Sequence, residues 1–193
     1  MISFAVLRFA PVPHSLLRGK SINIIGFMVL YGSYLTYFPI KLEESFGSKS
    51  FFIGIILSSS SITAAITAAQ HGKLSRYYNH NRLLIFSFSI YALSLILIPL
   101  MPNAFLMLIP AMLFGFSQGI IVPNIQTMLV NLAPTHHRGA FMSINGMVLH
   151  IGQTLGPMLA GWFYLIGNIQ FAFFGGALLT GIMILIVVFT LKE

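Results

Sequence analysis

The chain has 193 residues, 57% of them hydrophobic and 7% charged, with a formal net charge of +7 and no cysteine. Soluble domains carry about 25% charged residues, so a dispersed soluble fold is excluded, and so are disulfides and thiol chemistry. There is no aspartate, and the acids are Glu43, Glu44 and Glu193, which removes most routes to a carboxylate metal site, a paired-carboxylate hydrolase or a magnesium-dependent phosphoryl transferase.

The apolar residues come in long runs, which makes this an all-α membrane protein with six expected transmembrane helices. Residues 1–20 read as a leader or linker on the cytoplasmic surface. Their apolar stretch is short, interrupted by Arg8 and broken by Pro11 and Pro13, so they do not read as a signal peptide. The membrane domain then covers residues 21–193, with spans over residues 21–40, 51–70, 83–101, 104–126, 141–166 and 171–191. Each is close to the ~20 residues a spanning helix needs. The runs do not alternate apolar with polar, which argues against a β-barrel.

Helix one carries Tyr31, Gly32, Ser33, Tyr34, Tyr37 and Pro39. Tyr31 and Tyr34 share a face and suit amphipathic or cationic organic compounds; an interfacial aromatic belt fits Tyr37 better. Helix two holds Ser58, Ser59, Ser60, Ser61, Thr63 and Thr67 among alanines, read as a packing surface whose hydroxyls bond back to their own helix. His71, His80, His136 and His137 fall in cytoplasmic loops without carboxylate or thiolate neighbours, so no metal site is expected. Helix four offers Gln118 at mid-span and Asn124 beside Pro123. Gly115, Gly119 and Pro123 there correspond to Gly32 and Pro39 in helix one. Such Gly/Pro-interrupted helices in two triplets of opposite orientation point to a transport pathway, although both residues are also common in membrane helices.

Helix five is the most informative. Gly146, His150, Gln153 and Pro157 share one face, and Asn145, Gly152, Gly156 and Ala160 a neighbouring one. The Gly152, Gly156, Ala160 line lets another helix approach closely, while Pro157 loosens the helix. His150 and Gln153 fall near the bilayer centre, where polar groups are costly. Either they line a wet cavity, binding substrate or relaying a proton, or they satisfy a neighbouring helix. No acid lies within a span to orient a nucleophile–base pair, so no catalytic residue and no cofactor are expected.

Eight of the ten Lys and Arg residues (Arg8, Arg18, Lys20, Lys73, Arg76, Arg82, Arg138, Lys192) fall on one side of the expected spans; Lys41 and Lys49 fall on the other. This bias puts both termini in the cytoplasm. The basic residues form no contiguous patch in sequence, so no nucleic-acid partner is expected.

Three stretches carry a resemblance. The first is residues 31–39, Tyr-Gly-Ser-Tyr-Leu-Thr-Tyr-Phe-Pro. The second is residues 72–76, Gly-Lys-Leu-Ser-Arg, continuing to Arg82, with Arg76 and Asn79 in place of an expected Asp and Gly. The third joins Pro123-Asn124, Arg138-Gly139, Gly152, Gly156, Pro157 and Gly161. Together they resemble the C-terminal six-helix half of a major facilitator superfamily transporter, close to bacterial drug-efflux members. The resemblance implies a half-bundle of two inverted three-helix repeats in the cell membrane, acting with a second six-helix half or as a homodimer. It implies proton-coupled efflux of small amphipathic compounds. Tyr31, Tyr34, Gln118, His150 and Gln153 are then the pathway candidates, and Gly152, Gly156, Pro157 and Gly161 the packing or gating set. The alternative is a non-transporting membrane scaffold or the remnant of a split transporter gene.

Overall fold

The computed structural model describes residues 29–132 and 138–190. The leader expected over residues 1–20, the start of the first span, His136, His137 and Lys192 lie outside them. Among the described residues there are six helices. α1 is a π-helix over Leu30–Thr36 and continues as an α-helix over Tyr37–Phe46; α2 is Ser50–Tyr77, α3 His80–Leu100, α4 Leu108–Leu132, α5 Arg138–Ile166 and α6 Ile169–Thr190. Among the described residues there is no strand.

The helices α2, α3, α4 and α6 are long and apolar enough to cross a bilayer by length and composition. α5 has 29 residues, ample length, but Asn145, His150 and Gln153 dilute its apolar content. Of α1, nothing before Val29 is described.

Several boundaries differ from the sequence expectation. α2 runs past residue 70 to Tyr77, so the Gly-Lys-Leu-Ser-Arg stretch is a helical end and not a loop. Nothing in residues 71–77 breaks a helix except Gly72, which costs only ~1 kcal/mol there. The α2–α3 connection shrinks to Tyr78 and Asn79. Likewise α1 continues beyond Pro39 to Phe46 and takes in Lys41, which is buried. A left-handed Gly47 (φ 57°) stops it, its N–H returning to the Glu43 carbonyl at 2.9 Å; glycine holds that conformation without steric cost.

The packing has internal symmetry. α2 lies along α4 as α5 lies along α1; α3 meets α4 as α6 meets α1; and α3 packs on α6 between them. Exchanging the triplets α1–α3 and α4–α6 therefore maps these contacts onto one another. The tight crossings obey the same rule. A Cβ on Gly32 would strike the backbone of Gly156, and Cβ atoms on Gly115 and Gly119 would strike the backbones of Ser60 and Ala64. Small residues at both crossings let backbones touch, which is how helices associate where no water drives them together.

One contact breaks the symmetry. α5 also packs on α6, but α2 has no comparable contact with α3. In consequence only 17% of the apolar stretch of α2 is buried, against 44% in α3, 56% in α4 and 39% in α6.

Candidate functional site

Two groups of polar side chains stand out in the bundle. The first is buried. Tyr34 is 1% exposed, with its ring stacked between Phe38 (centroids 4.8 Å apart) and Phe114 (3.6 Å). Phe114 stacks in turn on Tyr91 at 4.6 Å, and the Tyr91 hydroxyl accepts a hydrogen bond from Gln118 Nε2 at 3.0 Å. A continuous contact chain thus links α1, α4 and α3. It joins two of the sequence candidates, Tyr34 and Gln118, through Phe114 and Tyr91, which sequence reasoning did not single out. The signal was faint: a lone tyrosine in an apolar helix looks like ordinary core.

The π-helix places Tyr34. Its wider turn leaves carbonyls to be satisfied, and the Thr36 hydroxyl donates to the Tyr31 carbonyl five residues back at 2.6 Å. It also accommodates Pro39, which has no N–H to donate. Ser33, buried next to Tyr34, donates to the Ala172 carbonyl of α6 at 2.8 Å. Tyr31 stands half-buried on the same turn.

The second group is exposed on α5. His150 Nδ1 and Gln153 Oε1 are 2.8 Å apart, one helical turn from each other. His150 is exposed, Gln153 half-buried, and Thr154 donates to the His150 carbonyl at 2.9 Å. The buried face of the same helix runs through Asn145, Val148, Gly152, Gly156 and Ala160. Gly156 meets Gly32, while the space a Cβ on Gly161 would need holds the Tyr37 hydroxyl, 2.9 Å away. Pro157 lies half-buried inside the helix. α5 is therefore two-sided, with Gly156 and Gly161 against α1 and its His–Gln pair turned away from the buried face.

A third polar cluster was not foreseen. His80, expected in a loop, sits in the first turn of α3. Its Nδ1 lies 2.5 Å from Asn124 Oδ1, and Asn124 Nδ2 donates to the His80 carbonyl at 2.9 Å. Asn124 thus ties α3 to α4. His71, also expected in a loop, is buried on α2 with neither ring nitrogen hydrogen-bonded. The helix-two hydroxyls behave as the sequence expects: Ser59, Ser60, Ser61, Thr63 and Thr67 donate to carbonyls three or four residues back in α2. Among the described residues no group of His, Asp and Glu could hold a metal.

Comparison with known proteins adds the lineage. The "Probable anion transporter 5" of Arabidopsis thaliana is 31% identical over 107 residues, 55% of this chain and 25% of that protein. The multidrug resistance protein MdtG of Erwinia billingiae is 28% identical over 125 residues, 65% of this chain and 30% of that protein. The putative metabolite transport protein YwtG of Bacillus subtilis is 24% identical over 114 residues, 59% of this chain and 25% of that protein. The matches thus span between 25% and 30% of the length of these relatives. The family profile described as Major Facilitator Superfamily matches residues 21–193. With that match along nearly the whole of an all-helical apolar bundle, the chain belongs to the Major Facilitator Superfamily of membrane transporters.

Proposed function

We propose that this six-helix unit forms one half of a proton-coupled exporter of small amphipathic compounds. The pathway runs between it and a second six-helix unit. The observation that carries the reading is the His150–Gln153 pair on the uncovered face of α5. An ionisable ring in the middle of a spanning helix is costly against lipid and is expected to face water or a partner. His150 is the proton carrier in this reading, and Gln153 and Tyr31 contact the substrate. Tyr34 and Gln118 act at one remove, since their buried chain fixes how α1 and α4 lie against α3. The drug-resistance name of the Erwinia relative and the similarity of residues 31–39 to drug-efflux members favour an exporter of organic compounds. The membrane is the cell membrane, with both termini in the cytoplasm.

A second unit has a place to dock. Gly54, Ser58, Ser61, Ala65, Ala68 and Gly72 recur at alternating spacings of four and three along α2, and all are exposed. That spacing makes a straight seam down one helix face, and small side chains admit another helix closely. The partner unit is either a second stretch of protein of the same kind or a second copy of this one.

The test is efflux of a cationic dye from proteoliposomes under an imposed proton gradient, with the unit alone and with a co-reconstituted second unit. Gradient-driven efflux that His150→Ala reduces to the level of empty liposomes, while Gln153→Ala changes the range of dyes moved, is the expected result. Unchanged efflux and dye range in both variants would remove their claim. No efflux in any combination of correctly inserted protein would favour the scaffold reading.

A further inference from the structure

The α2–α3 corner concentrates positive charge in a way its sequence spacing does not show. Lys73, Arg76 and Tyr77 lie at i, i+3 and i+4, on one face of the last turns of α2. All three are exposed, Tyr77 to 84%. The connection is only Tyr78 and Asn79, so Arg82 follows within the first turn of α3. Arg82 is exposed and Tyr78 is 57% exposed. Three cations and two tyrosines therefore share one end of a helical hairpin.

No anion of the described chain reaches them. The described acids, Glu43 and Glu44, belong to the far end of α1, next to the start of α2. The α2 helix runs its full 28 residues between that end and this corner.

Helix length sets the depth of the corner. At 1.5 Å per residue, α2 is about 42 Å long, whereas the hydrocarbon core is about 30 Å thick. With Phe51 and Phe52 at the boundary on the other side, about 20 residues carry the helix across, to the region of Gln70 and His71. The remaining turn and a half, holding Lys73, Arg76 and Tyr77, then lies in the headgroup layer. The first turn of α3 lies at the same level. Tyrosine rings favour this depth, with their apolar body inward and hydroxyl outward. Cations there meet lipid phosphates directly.

We propose that Lys73, Arg76 and Arg82, flanked by Tyr77 and Tyr78, form a binding surface for anionic phospholipid headgroups. In the orientation proposed above, the lipids belong to the cytoplasmic leaflet. Charge complementarity at a fixed depth carries this assignment, independently of the transport reading. Two cations on α2 and one on α3 can clasp a single phosphate headgroup across the two-residue turn. The lipid then bridges two helices that have few direct contacts of their own.

The experiment uses the purified full chain in mixed micelles containing either phosphatidylglycerol or phosphatidylcholine, and follows thermal unfolding together with retained lipid phosphorus. Phosphatidylglycerol is expected to raise the melting temperature above phosphatidylcholine, with a gain that shrinks as salt rises. The combined variant K73Q/R76Q/R82Q is expected to lose that gain, while Arg138→Gln, a cation exposed on a different helix, keeps it. Each single neutralisation should weaken phosphatidylglycerol binding about five-fold at low salt. If the combined variant does not fold, the single variants carry the same comparison. Equal effects of the two lipids would overturn the proposal. So would an undiminished phosphatidylglycerol effect in the single variants, or an equal loss in Arg138→Gln. Soluble glycerol phosphate reproducing the gain would also overturn it, because the surface would then be a site for free phosphate esters.

Discussion

Gln118 shows how a single side chain changes meaning once its neighbours are known. A glutamine in the middle of an apolar helix invites a cavity reading, because an unpaired amide there is expensive. Its amide instead donates to the Tyr91 hydroxyl at 3.0 Å, and Tyr91 is 0% exposed. The expense is met within the bundle. Tyr91→Phe keeps the ring stack on Phe114 and removes the acceptor, so it should lower stability by roughly 0.6–2 kcal/mol. Thermal unfolding in detergent micelles measures this, and an unchanged midpoint would show that the amide finds another partner. Asn124 makes two contacts to His80 and one of them is to a main-chain carbonyl. Asn124→Ala should cost more, about 1–3 kcal/mol, because it removes both contacts at once and leaves the His80 ring without its Asn124 partner. His150 differs from both. Its hydrogen bond is to Gln153 on its own helix, and the pair is exposed. Nothing in the residue types separates these cases; each depends on what another helix brings within 3 Å.

At the scale of elements, the glycines divide into two kinds that look identical in sequence. Gly115 packs where a Cβ would strike the Ser60 backbone, whereas Gly54 and Gly181 have nothing within 4 Å of that position. Gly115→Ala should therefore destabilise the α2–α4 crossing by about 1–3 kcal/mol through overpacking. Gly181→Ala should be neutral or stabilising by up to ~1 kcal/mol, since alanine is the better helix former. Parallel thermal melts of the two variants check the contrast, and equal shifts would refute the assignment of Gly115 to a tight crossing. The sequence marked Gly32, Gly115, Gly119 and Gly156 as notable for transport or for packing. In the structure each stands at a helix crossing, which is the packing use. The helix ends were less legible. α2 outruns its expected limit by seven residues, from 70 to Tyr77, because hydropathy marks where a run ceases to be apolar and not where the hydrogen-bond ladder ends. The same cause hid His71, which is polar by type and buried by position.

On the scale of the whole molecule, α2 is the odd element. It is apolar and long enough to span, and it is the least covered of the four spanning candidates. A seam of glycine, serine and alanine on its open face suits another helix better than lipid tails, since small residues gain little dispersion from disordered chains. Ala65→Leu at the centre of the seam should prevent association of two six-helix units, read as loss of the crosslinked dimer or half-to-half complex in membranes. Leu178→Ala, at an exposed position on α6, should leave it intact. Association that survives Ala65→Leu would move the interface elsewhere.

The sequence by itself determined the solvent, the number of helices and the family. Those follow from one-dimensional quantities: the length of each apolar run, the near absence of charge, and short motifs around Gly156 and Pro157. It also brought helix five forward, because His150 and Gln153 are rare residues for such a run. Only the tertiary structure decided which polar groups are already paired. It put Gln118 on Tyr91 and Asn124 on His80, left the His150–Gln153 pair exposed, and gathered Lys73, Arg76 and Arg82 at one corner. The physical reason is that burial and hydrogen bonding here are properties of helix pairs. A helix face acquires its role from the neighbour that covers it, and the order of residues along one helix does not name that neighbour.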